Sequence, residues 1–410
     1  MVNSDLYIMK RFCVACGACL SACPSSAVRP GLKNGVATVE MDPGKCSNCN
    51  LCSRVCPIFD YFAGLKEKKS LKDPFWTLFL GNSCDEQIRN HAASGGLATA
   101  LSSYLLEKGE IDGVLTVKMC GTEALQFVAR NPSDLKEAGG SIYFPTWALK
   151  SVESLRNSTL KVAIVGLPCQ ISAAKKLIKQ GILHQDNVMY LFGLRCYHIN
   201  SPWYMDYLLT RMLHLPKDEV SQITSRRHGW KGGIDVKGES GTYHVPLVFS
   251  WKTGLGIFNP MSLDRLNAQL GCIICKDRDS LNADITFAEA WFTTGKSLLI
   301  SRTKRGFDLV NRAVSEGKIQ VDPVQQERLP HLIEGEDLAY ELQQQIMSDV
   351  VEYGFLISCR KHGLASLPAV FPHMILSSPF FRRLLLPLLP PKTLMSIIGY
   401  YSKVLNKYFL

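Results

Sequence analysis

A run of four cysteines near the start of the chain reads Cys13-Val-Ala-Cys16-Gly-Ala-Cys19-Leu-Ser-Ala-Cys23-Pro24. A second run with the same spacing reads Cys46-Ser-Asn-Cys49-Asn-Leu-Cys52-Ser-Arg-Val-Cys56-Pro57. A single C-x2-C pair would fit zinc equally well. Two complete copies of C-x2-C-x2-C-x3-C, each closed by a proline, instead favour iron–sulfur clusters over zinc sites or disulfides.

This spacing is typical of ferredoxins that carry two clusters, and it has a geometric cause. Three closely spaced thiolates bind three corners of one iron–sulfur cube, while the fourth cysteine reaches across to the other cube. The spacing therefore predicts two [4Fe–4S] clusters and a role in electron transfer. The first cluster would be bound by Cys13, Cys16, Cys19 and Cys56, and the second by Cys46, Cys49, Cys52 and Cys23.

The chain is too long to consist of the ferredoxin-type unit alone, so a larger folded region must follow it. With 410 residues, of which 46% are hydrophobic and 20% charged, the chain has an ordinary globular composition and room for two or three domains. We assign residues 1–65 to the ferredoxin-type unit and residues 66–75, which are rich in charge, to a linker. Residues 76–320 would form the main body, and residues 321–410 a helical C-terminal extension interrupted by prolines.

The main body alternates between strand and helix patterns. Strand patterns occur at 76–81, 112–117, 160–166 and 188–194, and helix patterns at 94–109 and 171–181. This alternation predicts an α/β body with parallel strand pairs, and residues 220–260, rich in glycine and β-formers, predict a β insertion. The predicted fold class therefore combines α+β and α/β: a bacterial-type ferredoxin unit is fused to an α/β domain.

Charge and cysteine usage exclude several classes of protein. The formal net charge is +10, and three oxidised cubes of about −2 each would lower it to about +4. The basic residues are scattered without a recognition motif, so we expect no nucleic-acid partner. We find no secretory leader pattern and no uncharged apolar stretch of about eighteen residues, and cluster assembly needs free thiolates. These features predict a cytoplasmic protein.

Four further cysteines lie where strands of the main body should end. Cys169 and Cys196 each follow a buried strand, and Cys272 and Cys275 form a C-x2-C pair. Ligand sites gather at the carboxyl ends of strands in α/β sheets. These cysteines could therefore bind a third [4Fe–4S] cluster, or zinc. From spacing alone, ordinary buried thiols at Cys169 and Cys196 also fit.

These cysteines belong to an ordered set of short motifs. The set comprises Ala93-Ser-Gly-Gly96, Gly166-Leu-Pro-Cys-Gln170, Gly193-Leu-Arg-Cys196, Cys272-Ile-Ile-Cys275, Ala283-Asp-Ile285 and Trp291. Over roughly residues 10 to 310 the chain resembles the beta subunit of coenzyme F420-reducing hydrogenase and its relatives. Those relatives include the input subunit of F420H2 dehydrogenases, F420-dependent sulfite reductase and plant 7-hydroxymethyl chlorophyll a reductase. The resemblance implies FAD beside a third [4Fe–4S] cluster bound by Cys169, Cys196, Cys272 and Cys275.

The flavin site implied by this resemblance would lie at the start of a helix. Ser94 could cap the helix that begins near Leu97, and the two glycines between them would let a pyrophosphate approach the backbone N–H groups. A plain helix cap and a solvated loop histidine are the simpler alternatives. The candidate cofactor contacts in this stretch are Asn90, His91, Ser94, Gly95 and Gly96.

Two further stretches near this site carry charged groups. Relatives usually have Gly-Asp before the tryptophan that matches Trp291, whereas this chain has Ala288 and Glu289 before Ala290. Glu289 keeps the carboxylate but lengthens it, so we include it as a candidate contact of flavin or substrate. The basic stretch at 226–231 offers cations for an acidic substrate, although a solvated loop fits as well.

The C-terminal residues 393–410 place apolar side chains on one helical face, and the stretch before them, 380–391, is apolar and broken by prolines. A helix packed on its own domain is the simplest interpretation. Docking to a partner protein and peripheral contact with a membrane surface are the alternatives.

The resemblance implies a flavin- and iron–sulfur-dependent oxidoreductase. Such a protein would exchange a hydride at FAD with a soluble carrier, coenzyme F420 or similar, and relay single electrons through the clusters to ferredoxin or a partner redox subunit. Two alternatives stay open. One is a ferredoxin-driven reductase of an organic substrate, and the other is a non-catalytic electron-transfer subunit of a larger complex.

Overall fold

The computed structural model describes residues 2–33, 35–62, 75–226, 232–246, 268–275, 277–290 and 293–324. At the N-terminus a two-stranded hairpin lies among short helices. These elements are α1 (Val2–Arg11), α2 (Ala18–Ala22), β1 (Val28–Lys33), β2 (Val36–Met41), α3 (Leu51–Arg54) and α4 (Ile58–Phe62). α2 and α3 are equivalent, because each begins two residues after the second cysteine of its run.

The main body consists of strands alternating with helices. Its first half contains β3 (Thr77–Ser83), α5 (Glu86–His91), α6 (Leu97–Glu107), β4 (Gly113–Cys120), β5 (Glu123–Ala129), α7 (Pro132–Glu137), a 3-10 helix (Ala148–Leu155), β6 (Val162–Gly166), α8 (Pro168–Lys179), a 3-10 turn (Gln185–Asn187) and β7 (Val188–Leu194). Its second half contains α9 (Pro202–Tyr207), a π-helical turn (Leu208–Met212), a 3-10 turn (Lys217–Glu219), β8 (Gln222–Ser225), β9 (Gly233–Gly238), β10 (Gly241–Pro246), α10 (Leu270–Ile273), β11 (Ile285–Glu289), β12 (Ser297–Ser301), α11 (Lys304–Ser315) and β13 (Ile319–Pro323).

Eight of the described strands form one mixed sheet in the order β13-β3-β12-β11-β7-β6-β4-β5. β4, β6, β7 and β11 pair in parallel, as the alternation of strand and helix patterns predicted, while β5, β12 and β13 pair antiparallel. The four predicted strands correspond to β3, β4, β6 and β7. The carboxyl ends of β3, β6, β7 and β11 therefore lie along one edge of the sheet, which we call the carboxyl edge.

Alternating side chains on the central strands pack into two cores, one on each face of the sheet. Val114 and Ala163 pack on one face with α6 and α11. Their neighbours Leu115 and Ile164 point to the opposite face, where they pack with α8 and the N-terminal unit. The N-terminal unit thus occupies the place of a helical layer on this face of the sheet.

Side chains of the N-terminal unit join the core of the main body without a break. Phe12, Val55 and Ile58 belong to the same buried cluster as Leu149 and Ile171. The two parts of the chain therefore share one hydrophobic interior, and their relative placement is set by packing.

Backbone contacts also fix the first cysteine run against the main body. The N–H groups of Trp147 and Leu149 donate to the carbonyl oxygens of Ala15 and Cys16 at 3.0 and 2.9 Å. Gly17 has a φ of +89°, and a Cβ there would lie 2.5 Å from the carbonyl oxygen of Trp147. Only glycine combines this backbone conformation with so close an approach.

A separate three-stranded sheet, β10-β9-β8, forms the predicted β insertion as far as the described residues reach. It packs against α9 and the π-helical turn through Ile223, Ile234 and Leu208. β13 continues the main sheet to Pro323, beyond residue 320. Most of the predicted linker and nearly all of the predicted C-terminal extension lie outside the described residues. Within the described ranges, no helix has both the length and the apolar character needed to cross a membrane.

Candidate functional site

The first set of cysteines assigned to one cluster, Cys13, Cys16, Cys19 and Cys56, lies in the interior, and we call it the inner group. Cys16 and Cys19 are each 7% exposed. The four sulfur atoms are close enough for their charges to interact. Cys19 interacts with the other three thiols of the set, and Cys56 interacts with Cys13 and Cys16. The structure thus gathers the cysteines that the spacing grouped together.

The second set, Cys23, Cys46, Cys49 and Cys52, faces solvent, and we call it the outer group. Cys49 is exposed, and the other three are half-buried. Cys52 interacts electrostatically with Cys23, Cys46 and Cys49. All four line one pocket, which α1 borders on another side. Cys23 therefore reaches from the end of the first run to the loop of the second.

The thiols of the two groups differ in their electrostatics. Burial raises the pKa of Cys13 to about 12 and holds the pKa of Cys19 well above its usual range. Burial also acts to raise the pKa of Cys23, but hydrogen bonds with Ser25 and with the N–H of Ala27 outweigh it, so that this pKa is lowered. Buried thiols bind as thiolates when the charge of a metal offsets their burial.

The third set, Cys169, Cys196, Cys272 and Cys275, lies at the carboxyl edge, and we call it the third group. Cys169 is in the first turn of α8, directly after β6, and Cys196 follows β7. α10 and the residues after it contribute Cys272 and Cys275. Cys169 interacts with the other three. The sequence prediction that these four cysteines converge agrees with this placement.

Burial dominates the electrostatics of the third group as well. It raises the pKa of Cys272 to about 12 and that of Cys275 to about 11. The backbone N–H of Ile199 donates to Cys272 and offsets part of this effect. Cys169 and Cys272 are buried and the other two thiols are half-buried, so a bound cation would be needed to hold the group in the ionised form.

The three groups lie in a row. Cys52 of the outer group interacts with Cys19 of the inner group. On the other side, Cys16 of the inner group interacts with Cys169 of the third group. Tyr61 of α4 lies near this second junction, since its buried hydroxyl interacts with Cys169 and Cys275. The inner group is thus the middle member of the row.

Among the residues that the structure describes, no three His, Cys, Asp or Glu side chains are gathered as closely as a single metal ion requires.

The Ser-Gly-Gly loop precedes α6, but the prediction that Ser94 caps this helix is wrong. α6 begins at Leu97 with Gly96 as its N-cap, at a φ of +75°. The hydroxyl of Ser94 lies 2.7 Å from that of Ser297, and the N–H of Gly95 donates to the same Ser297 hydroxyl at 2.8 Å. Because Ser297 begins β12 opposite the end of β11, the loop is fastened to the carboxyl edge.

The lack of a side chain at Gly95 allows its backbone to pack closely against the backbones of Gly81 and Ser297. A Cβ on this residue would lie 2.5 Å from the carbonyl oxygen of Gly81 and 2.7 Å from the backbone nitrogen of Ser297. The open backbone donors are instead those of the first turn of α6, which have no acceptor within the helix. Ala98 and Thr99 in this turn are partly exposed.

Arg226 and Glu289 form a buried ion pair beside this loop. The side chains are 7% and 13% exposed, and the pair is bidentate, with Nη1 at 2.8 Å from Oε2 and Nη2 bonded to Oε1. Nη2 also donates to the carbonyl oxygen of Ala93 at 2.9 Å. Arg226 is therefore neither solvated nor free for an acidic substrate, and Glu289 acts on the loop through Arg226.

The other two predicted contacts lie at the end of α5. Asn90 is exposed, and Nδ1 of His91 is 2.8 Å from the carbonyl oxygen of Gln87 in the same helix. Both precede the loop by a few residues. The described contacts of His91 are those of a helix terminus.

Asp284, in the Ala-Asp-Ile motif, has a structural role. This residue is 2% exposed, and its carboxylate accepts hydrogen bonds from the N–H of Leu191, the hydroxyl of Thr303 and the guanidinium of Arg305 at 2.7 to 2.9 Å. It ties β7 to the connection between β12 and α11 at the start of β11, the end of that strand opposite the carboxyl edge.

Sequence reasoning missed several residues that shape the site. Ser297 and Tyr61 belong to no motif, and 63 residues separate Arg226 from Glu289 in the sequence. Strand pairing and the docking of the N-terminal unit bring them to the site, and neither leaves a local pattern in the sequence.

Comparisons with known proteins agree with this architecture. Residues 7–63 match the model of a 4Fe-4S dicluster domain. Residues 78–153 match the N-terminal part, and residues 159–327 the C-terminal part, of the coenzyme F420 hydrogenase/dehydrogenase beta subunit. The last two matches together cover more than half of the chain.

Individual relatives carry related names. The chain is 25% identical to the coenzyme F420-dependent sulfite reductase of Methanocaldococcus jannaschii, over 77% of this chain and 48% of that protein. It thus spans about half of that relative. It is 27% identical to the beta subunit of the coenzyme F420 hydrogenase of Methanosarcina barkeri, over 62% of this chain and 86% of that relative.

A solved structure also resembles the fold. It is a chain of the F420-reducing [NiFe] hydrogenase complex from Methanosarcina barkeri, with a TM-score of 0.52 and 25% identity, covering 68% of this chain and 92% of that one. The fold and the cysteine groups define the class: an iron–sulfur oxidoreductase subunit with an N-terminal dicluster unit on an α/β body. The chain belongs to the family of coenzyme F420 hydrogenase/dehydrogenase beta subunits.

Proposed function

We propose that this protein exchanges a hydride at FAD with a soluble carrier, coenzyme F420 or a chemically similar compound, and passes single electrons to ferredoxin or to a partner redox subunit. Bound flavin and iron–sulfur clusters would supply the conversion between two-electron and one-electron chemistry. The observation that carries the proposal is the row of three cysteine groups. One end of the row lies at the carboxyl edge, and the other end faces solvent.

The residues fit three clusters. The inner and outer groups would each hold one [4Fe–4S] cluster, in the pairing that the spacing predicts. The third group would hold another, since its four thiols, from the first turn of α8, the segment after β7, and α10 with the residues after it, converge at the carboxyl edge. Iron–sulfur clusters need a reducing compartment, so we propose that the protein works in the cytoplasm.

The residues also fit a flavin at the carboxyl edge. The first turn of α6 offers backbone donors and the positive end of a helix dipole to a pyrophosphate. Between this loop and the third group lies Asn200, which is 1% exposed and whose two side-chain polar atoms have no hydrogen-bond partner among the described residues. A buried amide of this kind needs a partner, and the polar edge of a flavin ring would provide one.

A chain of contacts connects Asn200 to the Ser-Gly-Gly loop. The N–H of Asn200 donates to the carbonyl oxygen of Tyr143 at 2.7 Å. The hydroxyl of Tyr143 is 3.4 Å from Nη1 of Arg226, which in turn holds Ala93. We assign the Arg226–Glu289 pair the task of positioning the loop, and Asn90, His91 and Ser94 to Gly96 remain the proposed surroundings of the cofactor.

The iron content tests the clusters. After anaerobic reconstitution we expect about twelve iron atoms per chain, four for each cube. Cys169→Ser should lower this to about eight while the dicluster signals persist. Cys84→Ser is the matched control, because Cys84 is an exposed cysteine outside the three groups, and it should keep about twelve. About eight iron atoms in the unmodified protein would remove the third cluster from the proposal.

The flavin absorbance tests the site of hydride exchange. The reconstituted protein should show a flavin band that bleaches with F420H2. Glu289→Gln should lower flavin retention more than Glu137→Gln, since Glu137 lies in an exposed ion pair with Lys118. Bleaching only with reduced ferredoxin would favour the ferredoxin-driven reductase. Clusters without any flavin would favour a non-catalytic electron-transfer subunit.

A further inference from the structure

Lys176 is the residue of α8 that joins the main body to the inner group. Its Nζ donates to the carbonyl oxygen of Cys56 at 3.0 Å and to Oδ1 of Asp60 at 2.7 Å. Its side chain is 21% exposed. A lysine ammonium is therefore held against the backbone of a proposed cluster ligand, at the boundary between the two parts of the chain.

The charge of this ammonium acts on the sulfur atoms of the inner group. Lys176 is among the principal influences on Cys16 and on Cys56, and in both cases it favours the negative form.

The outer group also has a cation on the backbone of a ligand, but in different surroundings. Nη2 of Arg54 donates to the carbonyl oxygen of Cys49 at 3.2 Å, and Arg54 is exposed. Solvent and salt screen an exposed charge more strongly than a partly buried one. The half-buried ion pair of Lys176 with Asp60 therefore distinguishes the inner group from the outer one.

We propose that Lys176 sets the reduction potential of the inner cluster, with Asp60 as its counterion. This inference rests on the proposed function, since it presupposes a cluster on the inner group. Reduction adds negative charge to a cube whose ligands are buried, and burial disfavours that charge. The ammonium offsets this cost and keeps the middle member of the row reducible, so that electrons can cross between the outer and third groups.

Three substitutions should lower, raise and preserve the midpoint potential of the inner cluster. Lys176→Met removes the positive charge and should lower the midpoint potential of the inner cluster, by at least a tenfold change in the reduction equilibrium, which is about 59 mV for one electron. Asp60→Asn leaves the ammonium uncompensated and should raise the same potential. Lys176→Arg keeps the charge and should hold the potential near its original value.

The measurement is a redox titration of the reconstituted full chain, followed by electron paramagnetic resonance. The signal that moves should be the one that Cys16→Ser abolishes, and the outer cluster is the internal reference. Lys175→Met is the matched control, because Lys175 is the adjacent exposed residue of α8 and donates to Asn282 at 3.2 Å. It should shift neither potential.

Two results would overturn the inference. The first is an unmoved inner potential in Lys176→Met with full iron content. The second is a shift of the same sign in Lys176→Met and Asp60→Asn, which would indicate loosened docking of the N-terminal unit. If Lys176→Met loses iron, the sign of the shift in Asp60→Asn decides. Absence of an inner cluster from the unmodified protein would instead contradict the proposed function.

Discussion

The two cysteine runs have one spacing and opposite surroundings. Both loops take the same backbone path, with left-handed residues at equivalent positions: Ala15 and Gly17 in the first run, Asn48 and Asn50 in the second. The first loop is pressed against the main body, whereas the second projects into solvent. The spacing thus determines the local loop, and the docking of the N-terminal unit determines what each loop can do.

The largest effect is expected from exchanging Gly17 and Asn50, the left-handed residues that follow the second cysteine of each run. Gly17→Asn should destabilise the protein by about 3 kcal/mol or more, because its side chain would collide with the backbone of Trp147. Asn50→Gly should stay within about 1 kcal/mol, since Asn50 is exposed and glycine accepts its conformation. Thermal unfolding and iron retention measure both. Equal losses would show that the loops do not differ in packing.

The rates of thiol labelling during mild oxidation should also differ between the two runs. When the clusters begin to break down in the presence of iodoacetamide, Cys49 should be labelled about a hundredfold faster than Cys16, because labelling of a buried thiol requires local opening that costs about 3 kcal/mol. Peptide mass spectrometry measures the ratio. Cys120, which is exposed and lies outside the groups, provides the reference rate. Simultaneous labelling of both runs would contradict the buried position of the inner group.

Charge reversal at the exposed end should have a moderate effect. Lys45 and Arg54 flank the outer group, and Arg54 donates to the carbonyl oxygen of Cys49 at 3.2 Å. The double variant Lys45→Glu and Arg54→Glu should slow electron exchange with an acidic ferredoxin by about tenfold at low salt, and less at high salt. Stopped-flow kinetics measure the rate. Lys304→Glu, on α11 across the sheet, should leave it unchanged; an equal slowing there would place the docking surface elsewhere.

The smallest effect is expected at a surface pair of the hairpin. Arg29 and Glu40 lie 3.1 Å apart with side chains 71% and 49% exposed. Arg29→Met should change stability by less than about 0.5 kcal/mol and leave both cluster potentials in place. Chemical unfolding and the redox titration check this. A potential shift as large as that of Lys176→Met would show that remote surface charges also change the cluster potentials. The effect proposed for Lys176 would then not be specific to that residue.

The sequence predicted the periodic and repetitive parts of this molecule. The cysteine spacing identified both N-terminal groups, and the strand patterns located β3, β4, β6 and β7, because such features are local. Cys169 and Cys196 could be placed at strand ends for the same reason. The sequence patterns did not predict the antiparallel strand β12 or the contact of its Ser297 with the Ser-Gly-Gly loop. This contact and the Arg226–Glu289 pair both depend on which strands become neighbours in the folded protein.

The twin hydrogen bonds of Gln269 with the backbone of Ala37 have a consequence for biosynthesis. The side chain of Gln269 accepts from the N–H of Ala37 at 3.2 Å and donates to its carbonyl oxygen, so a late residue completes an early hairpin. The N-terminal unit leaves the ribosome first. The side of this unit that packs on the main body cannot be buried until residues 147 to 275 have been synthesised. We therefore expect the outer cluster to be inserted while the chain is still growing, and the inner one only after synthesis has passed Gln269.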